Sequence, residues 1–233
     1  MTQPPPYPGD LGPDPQTPEE FSPADGRLRS VRGLGLAATA IAIVYGAFEV
    51  LEAALSWSAQ NRILDASDAG ESLDFLTPYD VVAVLWLPLL AVSYVITCLW
   101  LFQSRKNVEI LRPHAPQARK KGWVWGGWLV PFVSLWFPFQ IVRDILIDPA
   151  RPSRGEKLVG WWWTSFLLGN IVERIGLRAI SGSSDINAYS GLGPVETINA
   201  MLVLVALVLW LRIIRTISQD QDQDQAMGAS PTP

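Results

Sequence analysis

Alternation of apolar and polar stretches divides the chain into four long hydrophobic runs and one broken one. Runs of about Gly33–Leu55, Tyr79–Phe102, Leu158–Ile180 and Pro194–Ile217 are each long and apolar enough to predict a membrane-spanning helix. Between the second and third lies Trp123–Ile147, equally rich in Trp and Phe, but interrupted by Gly126, Gly127, Pro131 and Pro138. Each proline removes a backbone donor and disfavours helix at the residue before it, so this stretch is not a simple span. It predicts a broken element, in-plane or re-entrant, at one membrane surface. The expected fold class is therefore all-α: an integral membrane four-helix bundle with a Pro-broken, Trp-rich interfacial or re-entrant element between spans 2 and 3.

The polar stretches set the remaining boundaries. Residues 1–26 carry eight prolines and three glycines with little apolar content, which predicts a disordered cytoplasmic tail. Its Pro4–Tyr7 run matches a polyproline ligand for an aromatic groove. Residues 27–218 form the four-span domain, and the QDQDQDQ run opens a disordered tail over 219–233. Trp57–Pro78, acidic and polar, reads as an exposed loop, as does Ser181–Gly193. Pro88 predicts a kink in the second span.

Composition changes this picture mainly through charge. The chain has 233 residues, 49% of them hydrophobic, and a net charge of -4. Asp10, Asp14, Glu19, Glu20 and Asp25 meet no base, while Lys and Arg gather beside the apolar runs, a membrane pattern and not a nucleic-acid footprint. With four crossings and the broken element on one side, fifteen of the eighteen Lys and Arg residues share the side of the N-terminus. The positive-inside rule then puts both termini in the cytoplasm of a multi-pass plasma-membrane protein. If Trp123–Ile147 crossed instead, Arg151, Arg154, Lys157, Arg212 and Arg215 would all move outside. Nine of the eleven tryptophans fall near the cytoplasmic interface on this topology, where amphipathic rings prefer to sit. After Pro138, a shared face of Phe139, Val142 and Leu146 predicts a short in-plane helix with Gln140, Arg143 and Asp144 turned away.

The spacing Trp100-x4-Arg105-x-Asn107, then Gly122-Trp123-x2-Gly126-Gly127-Trp128-x2-Pro131, Pro138-x4-Arg143, Trp161-Trp162-Trp163 and Arg212-x2-Arg215 resembles the actinobacterial membrane proteins grouped as domain of unknown function 4328. The resemblance covers roughly residues 33–218. It implies a multi-pass membrane protein and supplies no activity. On it, the interfacial element is Trp123, Gly126, Gly127, Trp128, Pro131, Pro138 and Arg143.

Ionisable residues inside spans are expensive and therefore mark candidate sites. Glu49 and Glu52 lie one turn apart on the first span, Arg174 and Arg178 one turn apart on the third. Counting the helical rise from Gly33 and from Leu158 puts Glu49 and Arg174 both about 24 Å up a core roughly 30 Å thick. Glu173, Glu196 and Asn199 fall at the same level, so these seven residues predict an intramembrane polar cluster, with pairing of the first-span acids to Arg174 or Arg178 as the specific expectation. No metalloprotease, nucleophile-elbow or phosphate-loop motif and no paired Cys/His cluster is present. Cys98 reads as a packing residue and His114 as a solvated loop residue. The chain is thus expected to be non-enzymatic, without metal or cofactor, and to organise lipids or partners at the cytoplasmic face. Anionic lipid headgroups, a second copy and another membrane protein are its candidate partners. The alternative is a small transporter or channel subunit with a polar intramembrane site.

Overall fold

The computed structural model describes residues 28–113, 117–147 and 155–228, with side chains of the last helix through Asp224. The tail 1–26 with Pro4–Tyr7, His114, Arg151 and Arg154 lies outside the described residues. Within them the chain is helical and has no strand: α1 (Arg32–Asp68), α2 (Pro78–Ala83), α3 (Trp86–Leu111), α4 (Trp123–Gly126), α5 (Phe137–Leu146), α6 (Gly155–Ser181) and α7 (Leu192–Gly228), with 3-10 turns at Val133–Leu135 and Ile186–Gly191.

Local chemistry explains most of the boundaries. The α1 C-terminus is closed by Gly70 at φ 65, with Gly70 N bonded to Ser67 O and Glu71 N to Ala66 O, the paired bonds of a left-handed helix stop. Thr77 and Asp80 cap α2 reciprocally, with Pro78 in the first turn where its missing N–H costs nothing. The second run breaks at Val84–Leu85 because Pro88 has no N–H for Val84 O.

α1 and α6 run antiparallel to α7, while α3 runs parallel to α7 and antiparallel to α1. Gly35 lies against Ser218, Gly46 against Leu207, and Trp57 against Gly193 along the α1–α7 seam. On α6, Gly169 and Gly176 stand one heptad apart; a Cβ on Gly176 would come within 2.6 Å of Val195. Small residues at these positions let the helix backbones close up. The outward faces stay apolar: Leu36, Ile43, Val92, Val95, Met201 and Val205 are all exposed. Three helical stretches, Arg32–Asp68, Pro78–Leu111 and Ile186–Asp224, are long and apolar enough to cross a membrane. α6, read as the third span, has the length at 27 residues but carries Glu173, Arg174 and Arg178 in its second half.

Three expectations are corrected. Trp57–Asp68, read as loop, continues α1, because Ser56, Ala59, Gln60 and Ala66 form a buried stripe beneath the acidic residues. The QDQDQDQ run, read as disordered, continues α7 to Gly228, with Gln221 only 4% exposed. Finally, Trp100, Trp162, Trp163 and Trp210 are not interfacial rings but core, none more than 7% exposed. Trp162 stacks on Trp210 with centroids 4.6 Å apart, and Trp100 meets Trp210 edge-on at 5.6 Å.

Candidate functional site

The broken element begins and ends at the same end of α3. At its start, Arg105 donates to Arg119 O at 3.0 Å and Lys121 pairs with Glu109. At its finish, Arg112 donates to Ile147 O at 3.1 Å, and Ala118 N donates to Asp144 at 2.7 Å, joining start to finish. Between these anchors the chain climbs along α3. Cys98 Sγ reaches Val124 O and the Tyr94 hydroxyl donates to Trp125 O at 2.9 Å, roughly four to five turns up from Leu111. Trp163 Nε1 donates to Leu135 O from α6. The element is therefore a hairpin that starts and finishes at one end of α3.

Each expected residue has a place in it. Trp123 packs edge-on against Phe137 at 4.7 Å, and Trp128 against Trp163 at 6.0 Å. Gly126 and Gly127 end the short helix α4, and a Cβ on Gly127 would strike Trp123 O at 2.6 Å. Pro131 accepts from Val133 N at 2.7 Å, enclosing Phe132 at φ 63 in a three-residue turn of the strained hand. Phe132 is 87% exposed, and Leu129 and Trp136 flank it on the surface. Pro138 is buried in the first turn of α5. The α5 face differs from the one expected: Pro138, Ile141, Val142, Ile145 and Leu146 are buried and Phe139 only partly. Crowding by α6 and α7 selects that face. Arg143 pairs with Asp144 and lies over Phe139.

The second candidate is the polar cluster near the opposite end. Asn199 donates to Glu49 at 2.9 Å, and the Tyr79 hydroxyl donates to Glu196 at 2.7 Å. Glu49, Glu52 and Glu196 are buried and Glu173 partly so. These four carboxylates act on one another electrostatically across α1, α6 and α7. No hydrogen-bond donor among the described residues reaches Glu52, and Asn199 Oδ1 is buried without a partner. No three His, Cys, Asp or Glu side chains among the described residues form a metal cage. A group of carboxylates with so few donors must gain positive charge or share protons to be stable away from water.

The structure brings Glu49, Glu52, Glu173, Glu196 and Asn199 to one end of the helices. The expected pairing did not follow. Among the described residues the ion pairs are Arg62–Glu71, Arg105–Glu109, Lys121–Glu109 and Arg143–Asp144, none involving Arg174 or Arg178. Helix rotation is the reason: both arginines point away from Glu49 into an open cavity beside Tyr79 and Tyr189. Two tyrosines were missed: Tyr45, whose hydroxyl bonds Glu49 one turn away, and Tyr79, whose partner lies 117 residues away.

Neither the curated proteins nor the solved structures contain a match to this chain. A family model matches residues 65–219, covering the hairpin, α6 and most of α7, while Glu49 and Glu52 fall before it. On that match the chain belongs to the family described as domain of unknown function (DUF4328).

Proposed function

We propose that this is a non-enzymatic plasma-membrane protein with four spans and cytoplasmic termini, whose re-entrant hairpin gathers anionic lipids or partner proteins at the cytoplasmic face. α6 counts as a span on this reading because it lies alongside α7 from Trp162 opposite Trp210 to Gly176 opposite Val195. The observation that carries the reading is the hairpin itself: an exposed apolar tip of Leu129, Phe132 and Trp136 on a base anchored at the basic end. Lys106, Lys120, Lys157, Arg212 and Arg215 are exposed at that end and belong to no ion pair among the described residues. Each such base near an anionic leaflet contributes roughly 1 kcal/mol of attraction.

Spin-labelled lipids in reconstituted membranes test the reading. Anionic lipid should be enriched several-fold over zwitterionic lipid in the immobilised shell, with the excess falling as salt rises and in the variant K106Q/K120Q/K157Q. Equal occupancy of the shell by both lipids would overturn it.

A second reading, a small transporter or channel subunit, is favoured by one feature, the donor-poor carboxylates around Glu52. Proton flux into proteoliposomes, abolished by Glu52→Gln, is its expected sign; flux equal to empty liposomes would end it.

A further inference from the structure

The cavity into which Arg174 and Arg178 point has a volume of about 540 Å³ and lies between α2, α6 and the Ile186–Gly191 turn. Its polar lining includes Arg174, Arg178, Tyr79, Asp80, Tyr189 and Thr77, over an apolar floor that includes Ala59 and Leu192. The two guanidinium groups sit at i and i+4 on one helix face, where like charges repel. Neither has a hydrogen bond or ion pair among the described residues; Glu173 acts on Arg174 only at longer range. The one carboxylate in the lining, Asp80, is held by Thr77, whose backbone N–H and hydroxyl both donate to it at 2.7 Å. Two adjacent, unpaired arginines above an apolar floor are the arrangement that a bidentate oxyanion satisfies.

We infer that this cavity binds a phosphate ester through Arg174 and Arg178, at the end of the bundle opposite the basic cluster. The phosphate is that of a lipid headgroup or of a small soluble ester; the chemistry recognised is the same. The apolar floor and the exposed side chains beside it, Ile175 at 65% and Val81 at 60%, suit the acyl end of a lipid. Asp80 sets a limit on affinity, because its charge faces the same space. The inference stands apart from lipid gathering by the hairpin, which uses the other end of the molecule.

The test uses the full chain in an uncharged detergent and a phosphate-free buffer, following thermal unfolding by tryptophan fluorescence. One arm titrates short-chain phosphatidylglycerol and the other inorganic phosphate. At least one should raise the unfolding midpoint of the native chain, the first if the ligand is a lipid and the second alone if it is a soluble ester. R174Q/R178Q should need at least tenfold more of the same ligand, and Asp80→Asn several-fold less. R62Q, which removes a charge outside the cavity lining and outside the basic cluster, should respond like the native chain. Absence of any response, or equal responses of the native and R174Q/R178Q chains, overturns the site. If R174Q/R178Q does not fold, Asp80→Asn decides alone: an unchanged or weakened response rejects the proposal.

Discussion

At the end where α3 finishes, Asn107 donates to Arg29 O and to Gln221, accepts from Arg29 N and Gln103, and is 1% exposed. Gln221 in turn donates to Ser104 O. At the other end, Glu49 has the Asn199 amide and the Tyr45 hydroxyl, and Glu52 has no donor at all among the described residues. Both regions are buried and polar, yet in one the amides of Asn107 and Gln221 close upon each other and the backbone, leaving only hydroxyls such as Ser104 Oγ unpaired, and the other is short of donors and positive charge. A fully satisfied buried network fixes one arrangement of the helices. An under-satisfied one is kept only where something else supplies the missing partner or where the cost is tolerated. The closed network therefore reads as the clamp that ties residues 28–31, α3 and α7 together beneath the hairpin, and the open one as the place where protons or ligands act.

Substitution at the two ends should separate these roles sharply. Asn107→Leu strands Arg29, Gln103 and Gln221, and should cost about 3 kcal/mol or more, seen as a large fall in the unfolding midpoint in detergent. Glu52→Gln, equally buried, should cost nothing or raise stability by up to about 1 kcal/mol, since it removes one of four mutually repelling carboxylates. A mild Asn107→Leu or a crippling Glu52→Gln would dissolve the contrast.

Smaller effects sharpen it. Asn199→Leu should cost about 1 to 3 kcal/mol and be strongly coupled to Glu49→Gln in a double-mutant cycle, whereas Glu49→Gln and Arg174→Gln should add within about 0.5 kcal/mol. Coupling of the second pair would restore the ion pair that the structure lacks. In the hairpin, Phe132→Gly relieves a positive φ at an exposed position and should stabilise the protein in detergent by up to about 1 kcal/mol, while weakening its hold on lipid. Loss of stability there would mean that the exposed ring has a protein partner. Smallest of all, Lys121→Ala removes a half-exposed ion pair with Glu109 and should change the midpoint by less than the equivalent of about 1 kcal/mol.

What the sequence revealed follows the range of the forces involved. Pro88, Gly126, Gly127, Pro131 and Pro138 act on their own backbone, so the break in the second run and the bends of the hairpin were legible directly. The level of Glu49 beside Glu173, Glu196 and Asn199 followed from helical rise alone. Rotation about a helix axis depends on packing between helices, so the direction of Arg174 and Arg178 was not legible. The same holds for the ends of the chain. Helix over Trp57–Asp68 rests on the buried Ala59 and Gln60 meeting the start of α7, and helix beyond Gln219 on Gln221 meeting Asn107, 114 residues earlier. Local composition argued for loop and disorder in both places and was overruled by contacts it does not encode. Burial of Trp100, Trp162 and Trp210 belongs with these, since a tryptophan run is equally compatible with an interface and with a stacked core.

The central claim is that the Trp-rich hairpin enters and leaves on one side of the membrane. In a Cys98→Ser background, single cysteines at Lys120 and Lys157 bracket the hairpin and are exposed, and one at Asp74 marks the opposite end of α1 and α2. A membrane-impermeant thiol reagent applied to intact cells should label the Asp74 position alone, and disruption of the membrane should expose both Lys120 and Lys157 positions together. Labelling of either bracketing cysteine in company with Asp74, and not with the other, would make the hairpin a span and contradict the account.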